Sequence, residues 1–338
     1  MMNKRLKQGS TFLLAVALTF PLLTLPGAKA ANAINTGQKC SIEFDISGNS
    51  SELLSANIPV NLYKVASVDV SGNYTATGTF AKLDLSSVSA DNLDTAAATW
   101  SERAAEAKKL LKDDTEPTTT VTLTQGRGTA TGLNTGLYLV DTPEVVTTNY
   151  TYTFTPYLVS LPTNNYYSNG NDNWIYDLTK EYNSAVGLKP EEHARYGDLK
   201  INKTLAHHNA TTGKKATFVF KIEITPLKGK TETRIESLDF EAAGDSSVTI
   251  TKIPAGATVT VKEEYSGASY KLTSANDQNA TIVATDRGAK VDPASVSFTN
   301  DIDNNMNGGY GVKNNFKLDE NGQYQYTEPA EKNQEGGV

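Results

Sequence analysis

Lys203, Glu263 and Asn300 are the residues of this chain best placed to do chemistry. In the run Leu199-Lys200-Ile201-Asn202-Lys203-Thr204-Leu205 a β-strand alternates its side chains, so Lys203 shares a face with Leu199, Ile201 and Leu205. The same parity aligns Glu263 with Val259 and Val261, and Asn300 with Val296 and Phe298. Each polar group falls in an apolar row that should face a core, where an unpaired charge costs several kcal/mol. Brought together, the three have a reaction open to them. A neutral lysine amine attacks the carboxamide carbon, the carboxylic acid relays protons, and ammonia leaves, so that an intramolecular isopeptide bond forms. Burial favours the uncharged forms of amine and acid, and alignment by a fold supplies the proximity. The alternative is three unrelated polar residues at strand ends, each reaching water. Glu264 falls on the face opposite Glu263, while Asn314 shares a face with Val312 and Phe316 and is a second candidate acceptor.

Strands must position these groups, and period-2 runs fill the chain. In residues 31–186 they lie at 41–46, 58–65, 119–123, 136–141, 151–161 and 174–178, separated by Gly, Asn, Ser and Pro clusters. One segment breaks the rhythm. Residues 91–112 place Leu93, Ala97, Trp100, Ala104, Ala107 and Leu111 on one helical face with charges opposite, and Asp94 is the expected N-cap. This reads as one amphipathic helix lying against the sheets. Residues 187–195 are polar, aperiodic and interrupted by Pro190, as a linker would be. From 196 the strands resume at 199–205, 217–224, 234–240, 247–253, 258–263, 280–284 and 295–299, with Phe218, Phe220, Ile222 and Ile224 alternating. The second domain is expected over 196–318, with an extra strand near 310–316, and 319–338 as a disordered tail. The fold class is all-β: two tandem Ig-like β-sandwich domains, the first carrying one helical insertion.

Composition narrows the compartment. Lys4, Arg5 and Lys7, the apolar stretch from Phe12 to Leu25, and Ala28-Lys29-Ala30 read as a secretory signal over residues 1–30. Pro21 and Pro26 weigh against a retained anchor, and no later run is long enough to span a bilayer. Removing the four basic residues of that segment from 31 leaves 27 against 38 acidic ones, a net charge of −11. That balance argues against nucleic acid or anionic lipid as partners. The expected location is secreted or at the cell surface. A single cysteine, Cys40, cannot make an internal disulfide, and its parity with Ile42, Phe44 and Ile46 makes it a buried structural thiol. An extracellular chain without disulfides needs another restraint on unfolding, and a Lys–Asn bond is one.

Further motifs resemble a known family. Gly136-Leu137-Tyr138-Leu139-Val140, Thr155-Pro156-Tyr157-Leu158-Val159-Ser160-Leu161-Pro162 and Trp174-Ile175-Tyr176-Asp177 look like the N-terminal domain of Gram-positive, sortase-assembled pilin subunits. Gly197-Asp198-Leu199-Lys200-Ile201-Asn202-Lys203-Thr204, the run Ile253 to Glu263, and Val296-Ser297-Phe298-Thr299-Asn300 are similar to the streptococcal-type pilin isopeptide domain. The resemblance implies that Lys203, Glu263 and Asn300 are the cross-linking lysine, catalytic acid and acceptor. It implies a structural subunit of a pilus or surface fibre, not an enzyme on an external substrate, needing no cofactor. Its partners would be other pilus subunits or cell-surface proteins, a sortase, and a host ligand. The alternative is a secreted or surface adhesin recognising a host protein or glycan, with its ligand surface on the first domain. The chain departs from the family pattern in two places. Leu178-Thr179-Lys180-Glu181 stands where a Tyr-Pro-Lys-like motif is expected after Trp174, and Lys189 does not match it either. A Leu-Pro-x-Thr-Gly signal is lacking at the C-terminal end of the sequence, and Leu161-Pro162-Thr163-Asn164 reads as a loop inside a domain.

Other chemistry is weaker. The first domain's opening strand turns no lysine inward, and Lys64 reads as a snorkelling side chain, so no cross-link is expected there. His207-His208 point to opposite faces and have only His193 for company, against a metal site. Asp301-Ile302-Asp303-Asn304-Asn305 lacks the Gly and terminal Glu of a calcium loop and reads as a turn.

Overall fold

The computed structural model describes residues 33–90, 96–164, 174–179, 185–209, 215–267, 269–286, 291–303, 315–318 and 324–327. The signal expected at 1–30 lies outside them. Strands dominate, and the chain divides into two compact units, the first running to Tyr196 and the second opening at Gly197. Among the described residues no helix is long and apolar enough to cross a membrane.

The first unit is built around Ile58–Val68. This strand pairs antiparallel with Tyr74–Ala76, Thr119–Leu123 and Gly136–Asp141, and the last of these pairs with Tyr157–Leu161. Gly136–Asp141 is buried at every position because both of its faces are covered. Tyr138 and Val140 pack with Ile42 and Phe44 in one core; Leu137 and Leu139 pack with Trp100, Ala104 and Ala107 in another. Ile58–Val68 divides in the same way, with Ile58, Val60 and Leu62 on the first side and Tyr63 and Val65 on the helix side. A register shift between Lys64 and Ala66 adds a residue there, so Ala66 joins the helix side as well. Facing the first core, Cys40–Asp45 pairs antiparallel with Arg127–Leu133 and parallel with Asp177–Leu178, burying Cys40, Ile42 and Phe44 by alternation.

The helix is Ala97–Leu110, and it starts later than its periodicity predicts. Ala96 holds the cap position with no side-chain bond; Leu93 and Asp94 lie outside the described residues. Trp100, Ala104 and Ala107 are buried as expected, but Ala97, read as part of that face, is exposed in the first turn. Lys108 pairs with Asp141 at 2.5 Å and ties the helix to the strand beneath it.

Three other expectations are corrected. The run 151–161 is two strands, Tyr150–Phe154 and Tyr157–Leu161, in different sheets, because Pro156 between them has no N–H to continue a ladder. The run 174–178 is likewise split into Trp174–Ile175 and Asp177–Leu178. The stretch 187–195, read as a linker, contains the strand Pro190–Ala194, paired antiparallel with Tyr150–Phe154. It is an edge strand that begins with proline, a position where a missing donor is harmless, and its polar sequence follows from its exposure.

The second unit is a sandwich of two four-stranded sheets. One places Gly244–Pro254, Tyr196–Leu205, Ala294–Ile302 and Tyr270–Leu272 side by side. The other places Glu232–Phe240, Ala216–Thr225, Thr258–Tyr265 and Gln278–Thr281. Their inner faces share one core, in which Leu199, Ile201, Val296 and Phe298 meet Phe218, Phe220, Ile222, Val259 and Val261. Tyr196–Leu205 and Ala294–Ile302 run parallel, with Lys203 opposite Phe298 and Leu205 opposite Asn300. Gly197 lies so close to the Val283 carbonyl that any Cβ there would collide with it. Asn315–Leu318 pairs with Tyr324–Thr327. Part of the stretch read as a disordered tail therefore carries a strand, while Asn314 lies outside the described residues.

Cys40 is 2% exposed, and burial pushes its thiol up to about 11 from 9.0. The native thiol should therefore resist a maleimide reagent at neutral pH and react fully only in denaturant. Prompt stoichiometric labelling of the folded protein would contradict this packing.

Candidate functional site

The three residues aligned by parity meet inside the second unit. Lys203 and Asn300 project inward from neighbouring parallel strands of one sheet, and Glu263 projects from the facing sheet. Lys203 Nζ donates to Glu263 Oε2 at 2.5 Å and also to Asn300 Oδ1. Asn300 Nδ2 donates to Glu263 Oε1 at 2.6 Å, which closes a triangle. The three are 1%, 6% and 0% exposed respectively. Lys203 is opposite Phe298 in the register and Asn300 is two pairs further along, the next position on that face, so the lysine stem needs to lean only along its own strand to reach the carboxamide.

The surroundings are apolar and aromatic. Lys203 Nζ lies 4.4 Å from the ring centroid of Phe218 and 5.9 Å from that of Phe220, both on the facing sheet. Phe220 packs on Phe298 at 5.2 Å, and Phe218 on Tyr270 at 5.6 Å. This burial pulls the Lys203 amine below the ordinary lysine value of 10.5, against the opposing pull of Glu263 through its hydrogen bond and charge. A buried amine, a carboxylate touching both nitrogens, and a carboxamide within reach are the parts of an acyl transfer onto nitrogen.

Glu264, adjacent in sequence, is exposed on the other face. Two kinds of participant were not identified from sequence. The alternation of Phe218 and Phe220 marked them as core, but not as the wall around an amine. Asn276, whose Oδ1 accepts the Glu263 N–H at 3.0 Å, carried no signal beyond being a polar loop residue.

Elsewhere, Lys64 is half-buried beside Lys39 and Cys40; burial lowers its pKa, and no carboxylate is among the causes of that shift. His207 Nδ1 bonds Asp301 Oδ1 at 2.9 Å, and His208 Nε2 is buried without a hydrogen-bond partner. Among the described residues no group of three or more His, Cys, Asp or Glu side chains is placed to hold a metal ion. Asn304, Asn305 and Lys180 lie outside those residues.

Residues 199–303, which include the whole trio, match a family described as "Domain of unknown function (DUF5979)". No curated protein matches the sequence. Among solved structures the chain is similar to GBS52, the minor pilin of Streptococcus agalactiae, at 13% identity over 81% of this chain and 100% of that one, TM-score 0.24. It is similar to a streptococcal ancillary pilin at 14% identity over 78% and 69%, TM-score 0.24. The corresponding figures for the major pilin SpaA of Corynebacterium diphtheriae are 13% identity, 72% and 69%, and TM-score 0.26. These whole-chain scores are low, and the reading of the site rests on its own geometry.

The electrostatics of the trio can be separated from any chemistry. Lys203→Met removes the cation and leaves Glu263 buried beside an apolar side chain. Adding Glu263→Leu to that variant should raise the unfolding free energy in urea by about 2–3 kcal/mol, since a buried pair replaced by apolar groups loses less than a pair broken on one side. A double variant no more stable than the single one would show that Glu263 is not paying a burial cost there.

Proposed function

We propose that Lys203 and Asn300 form an isopeptide bond with Glu263 as proton carrier, and that the chain is a structural subunit of a bacterial pilus or cell-surface fibre. The observation that carries the reading is the closed, water-excluded triangle of amine, carboxyl and carboxamide. The Lys203 ammonium first gives a proton to Glu263 Oε2, leaving a neutral amine. Nζ then attacks Asn300 Cγ, and the Cγ–Nδ2 bond breaks. Of the ammonium's three protons, one stays on Glu263, one reaches the departing nitrogen through the carboxyl, and one remains on the new amide. Ammonia leaves, and no external reactant is consumed. The chemistry happens once per molecule, so the protein is not an enzyme toward other substrates.

The fibre role follows from where such a bond would lie. It joins the first and last strands of the sandwich, which are parallel neighbours, at positions 97 residues apart in sequence. Tension entering at Gly197 would pass along one strand, through the amide and out past Asn300, without loading the strands between. By analogy with a disulfide closing a loop of that length, the bond would stabilise the unit by about 4–5 kcal/mol through the unfolded state. In this reading the motifs that resemble pilin domains belong to a secreted surface protein whose partners are other subunits and the sortase that joins them.

Intact-mass measurement of the recombinant protein should show a deficit of one ammonia, and peptide mapping should join the Lys203 and Asn300 peptides. Glu263→Ala should restore the full mass and lower the melting temperature. A wild-type chain at full mass would refute the bond. A deficit that survives Asn300→Ala but is lost in Asn314→Ala would move the acceptor. Recovery of the native protein from cell walls in high-molecular-weight polymers tests the fibre role, and its recovery only as free monomer in the medium would count against it.

A further inference from the structure

We infer that the connector 273–277 is a strap that sets Glu263 against its two partners, with Asn276 as the positioning residue; this rests on the reading of the trio as the seat of a cross-link. The trio is divided between two sheets. Backbone pairing of one sheet fixes Lys203 relative to Asn300, but no ladder of either sheet fixes Glu263 relative to them. The connector does. It leaves Tyr270–Leu272, which pairs with the Asn300 strand and places Leu272 opposite Asn300 itself. It enters Gln278–Thr281, which pairs with the Glu263 strand.

At both ends the strap is bonded next to a reacting residue. Thr273 N and Oγ1 donate to the Thr299 carbonyl at 2.8 and 2.9 Å, and Ser274 Oγ accepts the Thr299 N–H at 3.1 Å. At the other end Asn276 Oδ1 accepts the Glu263 N–H at 3.0 Å. The ladder between Thr258–Tyr265 and Gln278–Thr281 stops at Val261 opposite Gln278, so the Asn276 carboxamide takes the place of the next strand carbonyl. On its opposite edge Glu263 sits at a register shift. Glu263 pairs with Phe220 and Tyr265 with Val219, which leaves Glu264 as the extra residue of a bulge. A bulge loosens and re-aims a strand locally. It falls where the carboxyl must touch Nζ and Nδ2 together, and the Asn276 bond restrains the backbone at that point. Asn276 is exposed and touches neither reacting nitrogen, so it acts through Glu263.

The test follows ammonia loss in time. Wild type, Asn276→Leu and Asn276→Asp are made by cell-free translation, quenched in acid at intervals and weighed intact. Leucine keeps the size without an acceptor; aspartate keeps both. The leucine variant should link more slowly by roughly 10- to 100-fold, the effect of a displacement of about 1 Å, and the aspartate variant should keep the wild-type rate. If wild type never loses ammonia, the reading of the trio falls. If wild type does and the leucine variant keeps pace, only the strap falls. The same substitutions in the Lys203→Met/Glu263→Leu background separate positioning from folding. A leucine variant unfolded there at the assay temperature would assign Asn276 to stability and overturn the positioning role.

Discussion

A primary amine buried between two sheets is the constraint on which the second unit is organised. An ammonium taken out of water must recover its lost hydration from the protein, and the desolvation is large enough that its neighbours are dictated. Lys203 meets one carboxylate oxygen, one carboxamide oxygen and the face of Phe218. Glu263 is satisfied by the amine and by Asn300, with each oxygen taking a different nitrogen. Removing any member leaves a buried polar atom of another without its partner. The same closure that makes the trio tolerable in an apolar core also holds the amine against the carboxamide, so in the proposed reaction the conditions for stability and for chemistry would coincide.

The topology imposes an order on events. Parallel neighbours cannot be joined by a hairpin, and here the whole sandwich lies between the Lys203 and Asn300 strands. Asn300 reaches the Lys203 amine only when the last strand is paired beside the first in this register. In the proposed reaction, bond formation would therefore follow the pairing of these strands, and could not trap a misregistered chain. A slip of one residue would turn Asn300 out of the core and bring Thr299 or Asp301 in.

Much of this is legible in the sequence because it depends on parity. Three separated strands each placed a polar residue in an apolar row, and burial on alternate positions in Tyr196–Leu205, Thr258–Tyr265 and Ala294–Ile302 repeats that pattern. What was illegible is what parity does not govern. Pro190–Ala194 is an exposed edge strand whose identity comes from the ladder it joins, so its polar sequence resembled a linker. The helix start depends on local backbone geometry at Ala96, not on the apolar stripe that marks the body. Two consecutive strands read as one around Pro156 although the inward parity switches there, from Tyr150, Tyr152 and Phe154 before the proline to Tyr157, Val159 and Leu161 after it, and the strands have different partners. Asn276 contributes one side-chain oxygen from a polar loop, and no period marks a residue of that kind.

The first unit meets the same electrostatic problem with a different outcome. Burial alone would raise the Glu52 carboxyl, but the N–H of Asn149 at 2.6 Å, the Thr147 hydroxyl at 2.5 Å and the Asn149 side chain at 3.1 Å outweigh it and hold the group below its ordinary range. These donors are amides and a hydroxyl, none of which becomes a nucleophile by passing a proton to a carboxylate at neutral pH. Lys64, the half-buried amine of that unit, has Lys39 and Cys40 as the charged or ionisable neighbours that shift it, neither of them a carboxyl. A carboxylate without an amine and an amine without a carboxylate are each stable arrangements. Only where the two converge on a carboxamide does satisfying a buried charge also assemble a reaction.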